Sequence, residues 1–451
     1  MLDKSYIDSS NPNHCGAALM SKNLVVIGLG YVGLPVALKF AEAGFNVTGI
    51  DVDSRKVELV NKGLSPIEGD EPGLQELLGE IIGNGNFKAT KEYEPIRNAD
   101  YVLVVVETPF NLRSREPLYT SLRSAVKSVG QYLRKGTLVV IESTIAPGTI
   151  NSMVQPILDE ESGLTAGTDY FLATAPERVM PGKLLHNLVT LDRVIGGINE
   201  ESTKRATELY SIIVKGELFS TDALTAEVVK TTENAYRDVQ IAFANEIALL
   251  CENLGVDVYK VRELVNRSPF RNMHLPGAGV GGHCLPKDSW LLAFGARGKY
   301  EPRLLAIARE INDGMPHHMS DLCESALREA GRRIYGAKIA ILGLAYLENS
   351  DDTRNSPTFM LVKALEVLGA QPIVHDPFVN SSEGVVLTSN IEEAIRDADC
   401  LAVVTAHDEY KELNLSNVKG LMKTPIIVDG RKIFDRQACL SKGFIFRGVG
   451  R

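Results

Sequence analysis

The sequence has no apolar run approaching the ~20 residues that span a bilayer. Its first 20 residues, MLDKSYIDSSNPNHCGAALM, lack the hydrophobic core of a secretory signal and read as a disordered leader, with Met20 as an alternative start. Cysteine is scarce and scattered: Cys15, Cys251, Cys284, Cys323, Cys400 and Cys439 form no CxxC pair and no metal-ligand spacing. That excludes a disulfide framework and a zinc site, and fits a reducing cytoplasm. No Lys/Arg run occurs, and 48 basic against 57 acidic residues leave a formal charge of −9. Nucleic acid is therefore not expected as the main partner, although a local basic pocket could still bind phosphates, and no membrane or metal partner is expected.

What is present is strand alternating with helix. In KNLVVIGLGYVGLPVALKFAEAGFNVTGIDVD a β-rich run from Leu24 to Ile27 meets a glycine turn, then a helical pattern, then a strand from Asn46 to Ile50. Further strands are read at ADYVLVVVETP, GTLVVIEST and DYFLATAPE. Such alternation predicts a parallel, doubly wound sheet. From Thr221 to Asn266 there is no proline, and AEVVKTTENAYRDVQIAFANEIALLCENLG reads as one long helix ended by Gly255. A soluble helix of that length usually spans two domains or forms a subunit interface; the alternative is a core helix of one domain. After Gly331 the first pattern returns: AKIAILGLAY echoes NLVVIGLGYV, and AQPIVHDPF echoes FNVTGIDVD. The expected fold is α/β, two Rossmann-like doubly wound domains joined by a long central helix and a helical middle. The expected boundaries are a leader at 1–20, then domains at 21–215, 216–330 and 331–451, with a ligand cleft between the lobes.

Gly28, Gly30 and Gly33 form G-x-G-x-x-G between the first strand and the first helix. The first glycine permits the tight turn, the second lets a pyrophosphate approach the backbone, and the third allows close helix packing. The helix N-terminus offers N–H groups to the phosphates. Asp51 follows at the end of the second strand, where a carboxylate accepts from ribose hydroxyls and repels a 2′-phosphate. That favours NAD over NADP, a preference weakened by the nearby Arg55 and Lys56. The second copy keeps only Gly343 of the three glycines and is expected to bind no dinucleotide.

VGGHCLPKDSW sets Cys284 in a glycine turn, where a buried structural cysteine is out of place. Lys287 lies close by, and Asp288 comes back beside the sulfur after one helical turn. Beside a dinucleotide site, a cysteine thiolate can add to an aldehyde, pass through a thioester after hydride loss, and release an acid with water.

These features, with STIAPGT at 143–149, APERVMPG at 175–182, KTTENAYRD at 230–238 and DDTRNSP at 351–357, resemble the UDP-glucose/GDP-mannose dehydrogenase family from Lys22 to about Phe434. The resemblance implies oxidation of a nucleotide-sugar C6 hydroxyl to a carboxylate with two NAD and one water. By the same resemblance Cys284 is the thioester nucleophile and Asp288 its partner. Lys230 and Asn234 steady the C6 oxyanion, while Glu177 and Thr144 serve the proton and water steps. Gly28, Gly30, Tyr31, Val32, Gly33, Asp51, Lys56, Thr108 and Thr144 are implied to hold NAD. Glu177, Arg178, Lys230, Asn234, Arg271, His274, Gly281 and Arg354 are implied to hold the UDP-sugar, with Arg271 lent by a neighbouring subunit of a homodimer built on the long helix. PERVMPGKLL and NMHLPGAGVGGHC resemble the branch acting on UDP-N-acetylhexosamines, with the manno epimer favoured over the gluco one and over UDP-glucose. Two positions depart from the family: Leu347 stands where a lysine is usual. Pro181 stands where the UDP-glucose branch has a second glutamate. The competing readings are a two-electron hydroxyacid dehydrogenase, which needs no Cys284, and an inactive nucleotide-sugar- or NAD-binding protein.

Overall fold

The computed structural model describes residues 22–67, 71–112, 114–179 and 182–451. The expected leader, Met20, Cys15 and Pro181 lie outside the described residues. The chain divides into two compact units, and the division at Thr231/Thr232 falls inside a helix.

In the first unit an eight-stranded sheet is built from β1 (Asn23–Ile27), β2 (Asn46–Ile50), β3 (Phe87–Thr90), β4 (Tyr101–Val104), β7 (Leu138–Ile141), β8 (Phe171–Thr174), β9 (Arg193–Gly197) and β10 (Leu218–Asp222). A small hairpin, β5 (Phe110–Asn111) with β6 (Glu116–Pro117), stands apart from it. The order is β10-β9-β8-β7-β4-β1-β2-β3. Alternate residues of each central strand serve opposite faces. Leu24 and Val26 join one apolar cluster with Val36, Leu38 and Phe40 of the helix Gly33–Glu42. Val25 and Ile27 join the other with Leu122, Val126 and Val129 of the helix Thr120–Tyr132. A sheet covered on both faces explains why its strands are continuously apolar, as parallel strands usually are.

The sheet departs from the all-parallel expectation in one place. β9 runs antiparallel to β8, with Ala173 opposite Gly197 and Thr174 opposite Gly196, and β10 runs parallel to β9. An antiparallel neighbour needs no crossover to the far end of the sheet. Both ends of the segment after β8 therefore lie at one edge, the carboxyl edge of β8, where ligands of such sheets bind.

The second unit carries β11 (Lys338–Leu342), β12 (Gln371–His375), β13 (Leu387–Thr388), β14 (Cys400–Val403), β15 (Ile426–Asp429) and β16 (Ile445–Gly448). Its order is β13-β12-β11-β14-β15-β16, parallel throughout. That is the 3-2-1-4-5-6 order of dinucleotide folds, which the first sheet also follows through β3-β2-β1-β4-β7-β8. The echo read in the sequence extends to the turns. Gly343 after β11 has φ +101°, as Gly28 after β1 has +95°. Asp376 after β12 accepts from the N–H of Leu344 and Ala345 at 2.7 and 2.8 Å, as Asp51 accepts from Leu29 N–H at 2.8 Å.

The long helix runs Ala223–Leu254, 32 residues, or about 48 Å at 1.5 Å per residue. Gly255 follows at φ +69°, the left-handed conformation that ends helices without a Cβ penalty. A second long helix, Arg303–Glu329, contains Pro316 in its interior. In the sequence it is not distinct from the helical middle, since an internal proline is usually a helix breaker.

Candidate active site

In the first unit the glycine turn after β1 lies beside the end of β4, at the point where strand order reverses. A Cβ on Gly28 would overlap the carbonyl of Val105, and one on Gly33 would overlap the carbonyl of Gly28. A Cβ on Gly30 would meet no protein atom, so the space above it is open to a ligand. Val32 stands at the helix N-terminus without a side-chain cap, and Tyr31 reaches Glu71 through its hydroxyl. Asp51 is buried and also accepts from Asp53 N–H at 2.9 Å. Two oxygens provide about four lone-pair sites, which leaves capacity for ribose hydroxyls. Lys56 is half-buried on the helix Ser54–Asn61, which Asp53 caps through Arg55 N–H. The residues thus fit a dinucleotide: an open glycine, an uncapped helix N-terminus and a strand-end carboxylate. Thr108, after β4, donates to the carbonyl of Thr144, after β7, at 2.8 Å. Ser143 makes a parallel tie to Val106 O at 2.6 Å.

Lys230 is buried, and its ammonium donates to the main-chain carbonyl of Glu177 at 2.6 Å. Glu177 turns its own carboxylate to the N–H of Val179. Arg178 reaches the carbonyl of Asp192, at the entry to β9, at 2.7 Å. Two acids unnoticed in the sequence support this region. Glu227 lies one turn before Lys230 and accepts from Gly148 N–H at 2.6 Å and Ile150 N–H at 2.8 Å. It therefore holds the end of STIAPGT, and burial raises its pKa to about 7 despite those two bonds. Glu142, just ahead of Thr144, is buried with Tyr210 donating to it and Arg193 at 3.9 Å. Burial holds the Glu142 carboxyl above its ordinary range, and the charge of Glu177 pushes the same way. The available signal was an acid inside an apolar run, VVIES and AEVVK, where an unpaired charge is costly.

In the second unit Cys284 is exposed, whereas Cys251, Cys323, Cys400 and Cys439 are buried. It is the N-cap of the helix Leu285–Gly295, whose first turn contains Lys287 and Asp288, both buried. The N–H of Asp288 donates to the carbonyl of Cys284 at 2.9 Å. Asn234, one turn beyond Lys230 on the long helix, donates its amide to the Asp288 carboxylate at 2.6 Å.

The glycines ahead of the cysteine are needed for close approach. Gly282 has φ +93°, and its missing Cβ would sit 2.9 Å from the ring of Tyr346. Gly281 is likewise packed on Tyr346 and Pro357. Gly282 donates to Arg354 O at 2.8 Å and accepts from the Asn355 amide at 3.0 Å, so the DDTRNSP loop braces the cysteine turn. Burial and Asp352 push the Tyr346 hydroxyl up to about 12. Burial, then Lys287 and Arg354, pull His283 down to about 4, so its imidazole is neutral near pH 7. Arg354 is gripped by Asp352 through Nε at 2.9 and 3.1 Å. Leu347 is exposed on the same loop. Arg271 is exposed after Phe270, a residue at φ +61°. His274 is half-buried, and burial with Arg237 and Arg262 lowers its pKa.

A buried polar network underlies the cysteine helix. Asp238 accepts from Arg309 at 2.6 Å, Asn312 at 2.8 Å and Ser289 at 3.3 Å. Asn312 accepts from Asn245, which in turn accepts from Gly277 N–H at 2.9 Å. The two long helices are thereby tied to both flanks of the Cys284 turn. Removing one partner of so buried an ion pair costs about 3–5 kcal/mol.

Three models of the UDP-glucose/GDP-mannose dehydrogenase family match: the NAD binding domain over residues 22–214, the central domain over 224–314 and the UDP binding domain over 340–436. The UDP-N-acetyl-D-mannosamine dehydrogenase of Pyrococcus horikoshii is 40% identical over 428 residues, 95% of this chain and 99% of that protein. Its solved structure superposes with a TM-score of 0.89, covering 95% and 99% of the two chains. The NDP-N-acetyl-D-galactosaminuronic acid dehydrogenase of Methanosarcina mazei, 42% identical, superposes with a TM-score of 0.88 and covers 95% of each chain.

Proposed function

The chain belongs to the UDP-glucose/GDP-mannose dehydrogenase family, as an NAD-dependent nucleotide-sugar dehydrogenase, and from that premise we propose that it oxidises C6 of UDP-N-acetyl-D-mannosamine to the uronate. The observation that carries this is Cys284 at a helix N-terminus, with Lys287 and Asp288 in the same turn and Asn234 of the long helix donating to Asp288. The family's UDP binding domain over 340–436 supports a UDP-sugar substrate. We read the chain as a cofactor domain at 21–215, a helical middle at 216–330 and a sugar-nucleotide domain at 331–451.

NAD, held by the glycine turn and Asp51, would supply the hydride acceptor for each of two oxidations at C6. In the first, the C6 hydroxyl gives its proton to the Glu177 carboxylate, which passes it on to solvent, and Lys230 and Asn234 donate to the oxygen as its charge grows. Asn234 has a second amide hydrogen besides the one given to Asp288. The Cys284 thiolate, favoured by the positive helix end and by Lys287, adds to the aldehyde carbon to form a thiohemiacetal. The second oxidation leaves a thioester. Glu177 takes a proton from water, whose oxygen attacks that carbon. The C–S bond breaks, the acid leaves and the thiolate returns.

Tyr236, Phe243 and Leu250 recur every seven residues along the long helix and are 61%, 53% and 52% exposed. A seven-residue repeat makes one apolar stripe, which supports a homodimer through this helix with Arg271 offered to the partner's site. Among the described residues no helix is long and apolar enough to cross a membrane.

The test is NADH yield per UDP-sugar consumed, over a panel including the N-acetylmannosamine, N-acetylglucosamine, N-acetylgalactosamine and glucose forms. Two NADH per UDP-N-acetylmannosamine is expected. One NADH would turn the reading to a hydroxyacid dehydrogenase. Preference for the galacto sugar is the second reading, favoured by the 42% identity to the Methanosarcina mazei protein.

A further inference from the structure

Glu71 lies in neither of the motifs that hold NAD and the sugar, yet its carboxylate receives donors from both neighbourhoods. The Tyr31 hydroxyl, from the middle of the glycine turn, donates to Oε1. The N–H of Gly182 donates to the same oxygen at 2.7 Å, and the N–H of Leu184 donates to Oε2 at 3.2 Å. Gly182 and Leu184 follow Glu177 and Arg178 in the chain by a few residues. Glu71 is itself held in place: its carbonyl accepts from Leu74 N–H, at the start of the helix Leu74–Gly83. Gly73 between them takes φ +79° and packs on Leu185.

We propose that Glu71 is a positioning residue that couples NAD occupancy to the placement of Gly182 and Leu184, which follow Glu177 in the chain, and so to binding of the UDP-sugar. A dinucleotide that fixes the glycine turn fixes Tyr31. Tyr31 then holds Glu71 in the pose that takes the N–H groups of Gly182 and Leu184. Ordering paid for once by the cofactor is not charged again to the sugar, which is positive coupling between two ligands. The inference rests on the reading of Glu177 as a residue of the sugar site.

The test is calorimetric titration of UDP-N-acetyl-D-mannosamine into the full-length protein, with and without saturating NADH, which blocks turnover. The unsubstituted protein is expected to bind the sugar nucleotide roughly five-fold or more tightly when NADH is present. Glu71→Ala is expected to bring that ratio close to one, with the affinity measured without NADH changed less than two-fold. Tyr31→Phe removes only the hydroxyl link and leaves the Gly182 and Leu184 bonds, so it is expected to lower the ratio too in a protein whose fold is intact. A merely structural Glu71 would weaken both titrations alike and leave the ratio unchanged, and that result overturns the proposal, as does a ratio near one in the unsubstituted protein. Glu177→Gln separates the two ideas: full turnover by that variant ends the reading of Glu177, whereas a surviving ratio in Glu71→Ala ends this one.

Discussion

Replacing Glu227 with Gln should remove a pH dependence of stability that originates in one buried carboxyl. Burial raises its pKa from 4.5 to about 7, against two backbone N–H donors that favour the charged form. The folded protein thus keeps a proton that the unfolded chain loses above pH 4.5. Its contribution is fully present below pH 4.5 and is lost as pH rises through 7. A rise of that size corresponds to about 3 kcal/mol at 1.36 kcal/mol per pH unit. For a unit of this length, 1 kcal/mol moves Tm by about 2–4 °C. Between pH 5 and pH 8 the native protein should therefore lose roughly 5–10 °C relative to Glu227→Gln in the calorimetric transition of the first unit. Gln offers one acceptor oxygen to the N–H groups of Gly148 and Ile150 and turns an amide donor toward the other. A constant offset of about 1–3 kcal/mol accompanies the change, but a constant offset has no slope with pH. A Tm difference between the two proteins that stays flat from pH 5 to pH 8 would refute the assignment of this titration to Glu227.

Three further outcomes are expected. Cys284→Ser should stall at an ester-like intermediate with little uronate formed, read by mass spectrometry of the intact protein; full acid production rules out the thioester role. Lys230→Ala should lose roughly 10²–10³ in kcat, and steady-state kinetics showing a change in KM alone would refute an oxyanion donor. Phe243→Glu sets a charge in the exposed stripe of the long helix and should shift light-scattering mass from dimer to monomer, whereas an unchanged dimer places the interface elsewhere.

The glycine turn after β1 was legible in the sequence, because its determinants are local. Gly28, Gly33 and Asp51 act within one strand–turn–helix–strand unit, and backbone clash alone requires glycine at the first two. The long helix was legible for the same reason, since periodicity and Gly255 are properties of a continuous segment. Its 32 residues run from three before the predicted start to one before Gly255. The direction of β9 was not, because an apolar strand pairs as readily either way, and only its neighbour β8 selects one. Leu347 was visible as a departure, and the structure adds that Tyr346 beside it packs on Gly282.

The sequence by itself determined the chemistry available: a glycine turn between strand and helix, a carboxylate at the end of the next strand, and a cysteine at a turn with lysine and aspartate following. Those are choices of residue type at short spacing, and short spacing is preserved however the chain folds. Tertiary structure alone decided which groups hold that chemistry in place. Glu71 meets Gly182 across 111 residues, Glu227 meets Gly148 across 79, and Asp238 meets Arg309 across 71. An acid in a sequence carries no mark of its partner. Glu227 and Asp238 become supports only once folding removes them from water and makes an unpaired carboxylate too costly to leave without donors.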